Sequence, residues 1–99
     1  MSSYNDLIES DRRLVILRIL EEDPGYSQNE SVLQTCLDAL GHGVSRDRVV
    51  TDLTWLAEQG LVTIEDVMSV KVATLTPRGA DAATGRATIP GVKRPGPRG

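Results

Sequence analysis

The stretch Val44–Val62, VSRDRVVTDLTWLAEQGLV, leaves this chain few ways to fold. Ser45 is placed to cap a helix by accepting from backbone N–H groups two or three residues on. Val49, Leu53 and Leu56 then fall on one face at helical spacing, with Ala57 beside them. Gly60 stands where a left-handed residue ends a helix, and Leu61-Val62-Thr63-Ile64 has the composition of a strand. Helix, glycine stop and strand follow one another without a linker. That succession fixes a buried face and, opposite it, an outward one.

The flanking elements are read in the same way. A first helix is expected from about Leu7 to Glu22, stopped by Asp23-Pro24-Gly25. Its central run LVILRIL is apolar on nearly all sides, leaving a narrow stripe with Asp11, Arg18 and Glu21. Such a girdle must be covered, and a second copy of the helix would cover it about a two-fold axis. The sequence therefore predicts a homodimer built on Leu14, Val15, Ile16 and Ile19.

Ser27-Gln28-Asn29-Glu30 fits an S-x-x-E capping box opening a second helix, which Val32, Leu33, Cys36, Leu37 and Leu40 continue and Gly41 closes. The link Gly41-His42-Gly43-Val44 is short enough for a sharp reversal into the third helix, Arg46 to Gln59. Leu61–Ile64 and Val70–Leu75 form a hairpin across residues 65–69, and Thr76-Pro77 opens a short helix to about Thr84. From Arg86 onward, RATIPGVKRPGPRG has the proline, glycine and charge of a flexible or extended segment. The division expected is a domain over 1–85 and a basic tail over 86–99.

Composition narrows the function classes. One cysteine, Cys36, allows no intramolecular disulfide, and with the single histidine, His42, it cannot hold a tetrahedral zinc. No nucleophile has a base spaced beside it, so neither an enzyme nor a cofactor is expected. No run approaches the ~20 apolar residues of a membrane span, and MSSYNDLIES lacks the order of a signal peptide, so a cytoplasmic protein is expected. The net charge of −3 hides an asymmetry: residues 1–85 hold seven basic and fourteen acidic residues, residues 86–99 four basic and none acidic. An acidic body with a basic tail is a pattern for partner binding.

The order of three helices, hairpin and helix, with GLV directly after the third helix and LT-x-x-G after the hairpin, resembles winged helix-turn-helix regulators of the ArsR/MarR-like type over about Asp11–Gly85. SRDRVVTDLTWLAEQGLV and the tail GVKRP are similar, more narrowly, to small ArsR-like proteins of Mu-like phages and prophages. The fold class implied is mainly α with a small β-hairpin. The third helix would be the recognition helix, offering Arg46, Asp47, Arg48 and Thr51 to double-stranded DNA, with Trp55 at the edge of that face, either packed on a neighbouring element or taking part in binding. Lys71 is the positive charge nearest the hairpin tip, and Lys93, Arg94 and Arg98 form either a solubilising tail or, if DNA is bound, a phosphate-binding arm. The paired cysteines of metal-sensing ArsR members have no counterpart, so metal sensing is not implied.

Two features weigh toward a protein partner. The hairpin tip Asp66-Val67-Met68-Ser69 has no basic residue, and Asp47 and Asp52 put negative charge near the groove unless they pair, Asp52 with Arg48 at i,i+4. The expectation is a small DNA-binding transcriptional regulator; the alternative is an interaction module on the same scaffold.

Overall fold

Arg12, deep in the first helix, and Asp52, deep in the third, lock the molecule at its centre: Nε of Arg12 donates to Oδ2 of Asp52 at 2.5 Å, and both side chains are buried. The computed structural model describes residues 3–96. The elements in chain order are α1 (Tyr4–Glu22), β1 (Ser27–Asn29), α2 (Glu30–Ala39), α3 (Arg46–Glu58), β2 (Val62–Val67), β3 (Val70–Leu75) and α4 (Pro77–Thr84). They make an α/β domain of four helices and an antiparallel sheet in the order β1-β3-β2.

Capping sets the helix starts. Ser3 accepts from the Asp6 backbone N–H while the Asp6 side chain returns to the Ser3 N–H, so α1 begins earlier than its apolar pattern suggests. Asn29, rather than Ser27, caps α2, accepting from Val32 N–H at 2.9 Å. Ser27–Asn29 is instead a strand, with Ser27 opposite Thr74 and Asn29 opposite Val72. This corrects the capping-box reading: a three-residue strand borrows its stability from β3 and leaves no periodicity to read. Ser45 caps α3 and Thr76 caps α4.

The LT-x-x-G signal has a physical cause. Thr76 Oγ1 accepts from Gly79 N–H at 3.0 Å and donates to Gly60 O at 2.7 Å. A Cβ on Gly79 would lie 2.0 Å from the carbonyl oxygen of Leu61, so only glycine lets α4 pack this closely on the chain entering β2. The hairpin is longer than its composition implied. Val67 pairs with Val70, and Met68 and Ser69 turn the chain with φ of 51° and 67°. A two-residue turn of this kind usually uses asparagine and glycine, so its sequence gave no signal.

The core runs through Leu14, Ile16, Leu17 and Leu20 of α1, Leu33 and Leu37 of α2, Val49, Leu53 and Leu56 of α3, Leu61 before β2, and Val62, Ala73 and Leu75 of the sheet. The α1 girdle is therefore covered from within. Leu14 and Ile16 are buried, and Val15 and Ile19 are half-buried against the same core. Of the residues expected at a two-fold interface, Leu14 and Ile16 are thus taken up by α2, α4, β3 and the segment after α4 within one chain, while Val15 and Ile19 keep part of their surface.

That segment, 86–96, is not a free arm. Ile89 and Val92 enter the core cluster, Lys93 N–H donates to Ser10 O at 3.1 Å, and Arg13 Nη1 donates to Gly91 O at 3.0 Å. Two apolar residues three apart suffice to fasten a stretch otherwise polar and rich in proline and glycine. Among the described residues no helix is long and apolar enough to cross a membrane.

Candidate functional site

The outward face of α3 follows from its inward one. With Val49, Asp52, Leu53 and Leu56 buried, helical spacing turns Asp47, Arg48, Thr51, Thr54 and Glu58 to solvent, with Arg46 exposed in the first turn. Thr51 and Thr54 donate their hydroxyls back to Asp47 O and Val50 O, at 3.0 and 2.9 Å. Asp52 does not join this face. Its sequence-predicted pairing with Arg48 is replaced by the buried bond to Arg12, forty residues away in sequence.

Both exposed arginines are held by carboxylates from the preceding helices. Arg46 Nε donates to Gln34 Oε1 at 3.2 Å, and Nη1 donates to Glu30 Oε1 at 3.4 Å. Glu30 is itself buried, and its Oε2 accepts the Lys71 backbone N–H at 3.2 Å, so one carboxylate joins α2, α3 and the hairpin. Arg48 Nη1 donates to Glu9 Oε2 at 3.4 Å, and Glu9 Oε1 lies 3.7 Å from Arg13 Nη2. The side chains of Arg46 and Arg48 remain 46% and 48% exposed, so their outer edges are open.

Trp55 is not offered to solvent as a free ring. The Arg13 guanidinium carbon sits 3.9 Å from its ring centroid, and a Cβ on Gly91 would come within 2.7 Å of its Cζ2. Glycine at 91 thus lets the C-terminal segment close on the indole, and Trp55 is packed between this segment and the Arg13 guanidinium. Lys71 pairs with Asp66 at 2.7 Å at the hairpin. Lys93 is tied to Asp11 at 3.2 Å, and Arg94 donates to Thr88 Oγ1 at 3.4 Å. The structure thus groups Arg46, Asp47, Arg48 and Thr51 on α3, leaves Lys71 on the hairpin, holds Lys93 to the body, and bonds Arg94 to Thr88 within its own segment. Arg98 lies outside the described residues.

Asp11 also meets the turn between α2 and α3, with Oδ2 2.6 Å from His42 Nε2. Partial burial works to raise its pKa, but the hydrogen bonds and charges of His42 and Lys93 outweigh that and hold it below the ordinary aspartate value. Among the described residues no three His, Cys, Asp or Glu side chains are grouped to hold a metal ion. A groove of about 440 Å³ lies elsewhere, lined by Glu21, Tyr26, Leu75, Pro77, Ala80 and Arg86 among others, and it takes in none of the sequence-predicted residues. Glu9, Glu30 and Gln34 were missed as site residues: Glu30 was absorbed into a capping box, and the other two reach α3 only through tertiary packing.

Two relatives bear on this arrangement. The chain is 58% identical over 94 residues to gp26, an uncharacterized protein of Escherichia phage Mu, covering 95% of this chain and 97% of that protein. It is 51% identical over 77 residues to an uncharacterized protein of Haemophilus influenzae, covering 77% of this chain and 74% of that one. No family model matches the chain. No solved structure matches it either.

Proposed function

The chain belongs to the family of phage Mu gp26, and from that premise we propose that it is a winged helix-turn-helix protein of ArsR-like type. In this reading it is phage or prophage encoded and acts as a small DNA-binding transcriptional regulator. The observation that carries the reading is the outward face of α3, with two half-exposed arginines in and beside its first turn and a buried opposite face. The element order and the strand order β1-β3-β2 support it, since they set a hairpin beside a helix reached from α2 by a short turn. Arg46 and Arg48 would meet phosphate oxygens, and Asp47 and Thr51 would sit between them and the bases.

The test is binding of the full chain to labelled duplex DNA across a salt series. Binding should weaken as salt rises, with a slope of log K against log salt of about −0.9 for each phosphate neutralised. Arg46→Ala and Arg48→Ala should each weaken it. No binding at about 50 mM salt would overturn the proposal.

One set of observations favours a second reading, a protein-interaction module with no operator. Arg46, Arg48, Lys71 and Lys93 each have a carboxylate partner, and the hairpin tip presents Met68 at 94% exposure beside a half-exposed Val67. A neutralised face and an apolar tip suit a protein surface better than a polyanion.

A further inference from the structure

The two carboxylates that hold the α3 arginines are unequal. Glu30 is buried, accepts the Lys71 backbone N–H as well as Arg46, and is fixed by both tasks. Among the described residues Glu9 has no backbone task, and its side chain is 34% exposed. It also has a second cation within reach, Arg13, whose own position is set by the Trp55 ring and Gly91 O. Glu9 can therefore leave Arg48 without being stranded.

We infer that Glu9 is a built-in competitor for the anion that Arg48 would hold, a displaceable counter-ion supplied by α1 that keeps DNA affinity low. This rests on the DNA-binding reading above. When a phosphate oxygen approaches Arg48, Glu9 gives up the 3.4 Å contact and shifts toward Arg13. Arg46 stays oriented by Glu30 and Gln34. An exposed ion pair at this distance contributes little to folding, but it subtracts a full positive charge from the surface that must attract a polyanion. Glu9 is thus a positioning and affinity-setting residue, acting through Arg48.

The experiment compares wild type, Glu9→Gln, Arg48→Ala and the double variant, all full chain, for binding to one labelled duplex at about 50 mM salt. Glu9→Gln keeps the shape and removes the charge, and should tighten binding about three- to tenfold. In the Arg48→Ala background the same substitution should give no gain. A gain that persists there would be a general effect of net charge and would overturn the inference, as would unchanged or weaker binding by Glu9→Gln. If Arg48→Ala weakens binding while Glu9→Gln does nothing, the competitor role fails and the DNA reading stands. If no variant binds, both fall.

Discussion

The two faces of α3 use the same chemistry to opposite ends. Inward, Asp52 meets Arg12 with side chains only 2% and 5% exposed, set among Val49, Leu53 and Leu56. Outward, Arg48 meets Glu9 with side chains 48% and 34% exposed. The inner pair has lost its water and can be satisfied only by its partner, so breaking it leaves a buried charge. Water and salt always offer the outer pair an alternative, so it can be exchanged for a ligand at little cost to the fold. Burial, more than the identity of the charges, separates a structural ion pair from one available for binding.

The largest expected effect breaks the inner pair: Asp52→Ala should cost about 3–5 kcal/mol of stability in urea unfolding. Glu9→Ala, by contrast, should change it by no more than about 1 kcal/mol. Equal losses would erase the distinction between the faces. On the same inner face Leu53→Ala should cost about 2–5 kcal/mol, read from the same unfolding curves.

Ending the chain after Pro90 removes Val92 and the Lys93–Ser10 and Gly91–Arg13 bonds. The loss should be about 1.5–3 kcal/mol from the buried valine side chain alone. Thermal melting checks this, and an unchanged midpoint would return the segment to the status of a free arm. Any loss of DNA binding on truncation must then be judged against loss of fold.

A smaller effect concerns pH. The Asp11 carboxyl is held below its ordinary value of 3.8 in the folded state, so its contribution is present above that value. It is lost as pH falls through the lower folded value. Asp11→Asn should flatten the acid limb of a stability–pH curve and leave neutral-pH differences between other variants unchanged. Smallest of all, Thr51→Ala on the outer face should stay within about 0.5 kcal/mol of wild type.

Much of α3 and its surroundings was legible because the signals are local. Ser45, the spacing of Val49, Leu53 and Leu56, and Gly60 specify a capped helix with one buried face from interactions within a few residues. Thr76-Pro77 opens α4 for the same reason. The first helix illustrates the opposite case. Its girdle announced that something must cover Leu14 and Ile16, but nothing local says what. The cover includes Ile89 and Val92, in a stretch whose composition reads as a flexible or extended segment. Asp52 misled in a similar way, since Arg48 at i+4 is the pair a helix alone would make.

The sequence by itself determined where α3 and α4 begin, where the helices stop, and which face of α3 turns inward. Those outcomes rest on capping and periodicity, which act over a turn or two of chain. Only the tertiary structure decided that Ser27–Asn29 is a strand, that Arg12 claims Asp52, that Glu9 and Glu30 hold the outward arginines, and that residues 86–96 close over Trp55. Each of these joins residues far apart in sequence, and all but the exposed Glu9–Arg48 pair draw on shared burial. That burial exists only after the whole chain has packed.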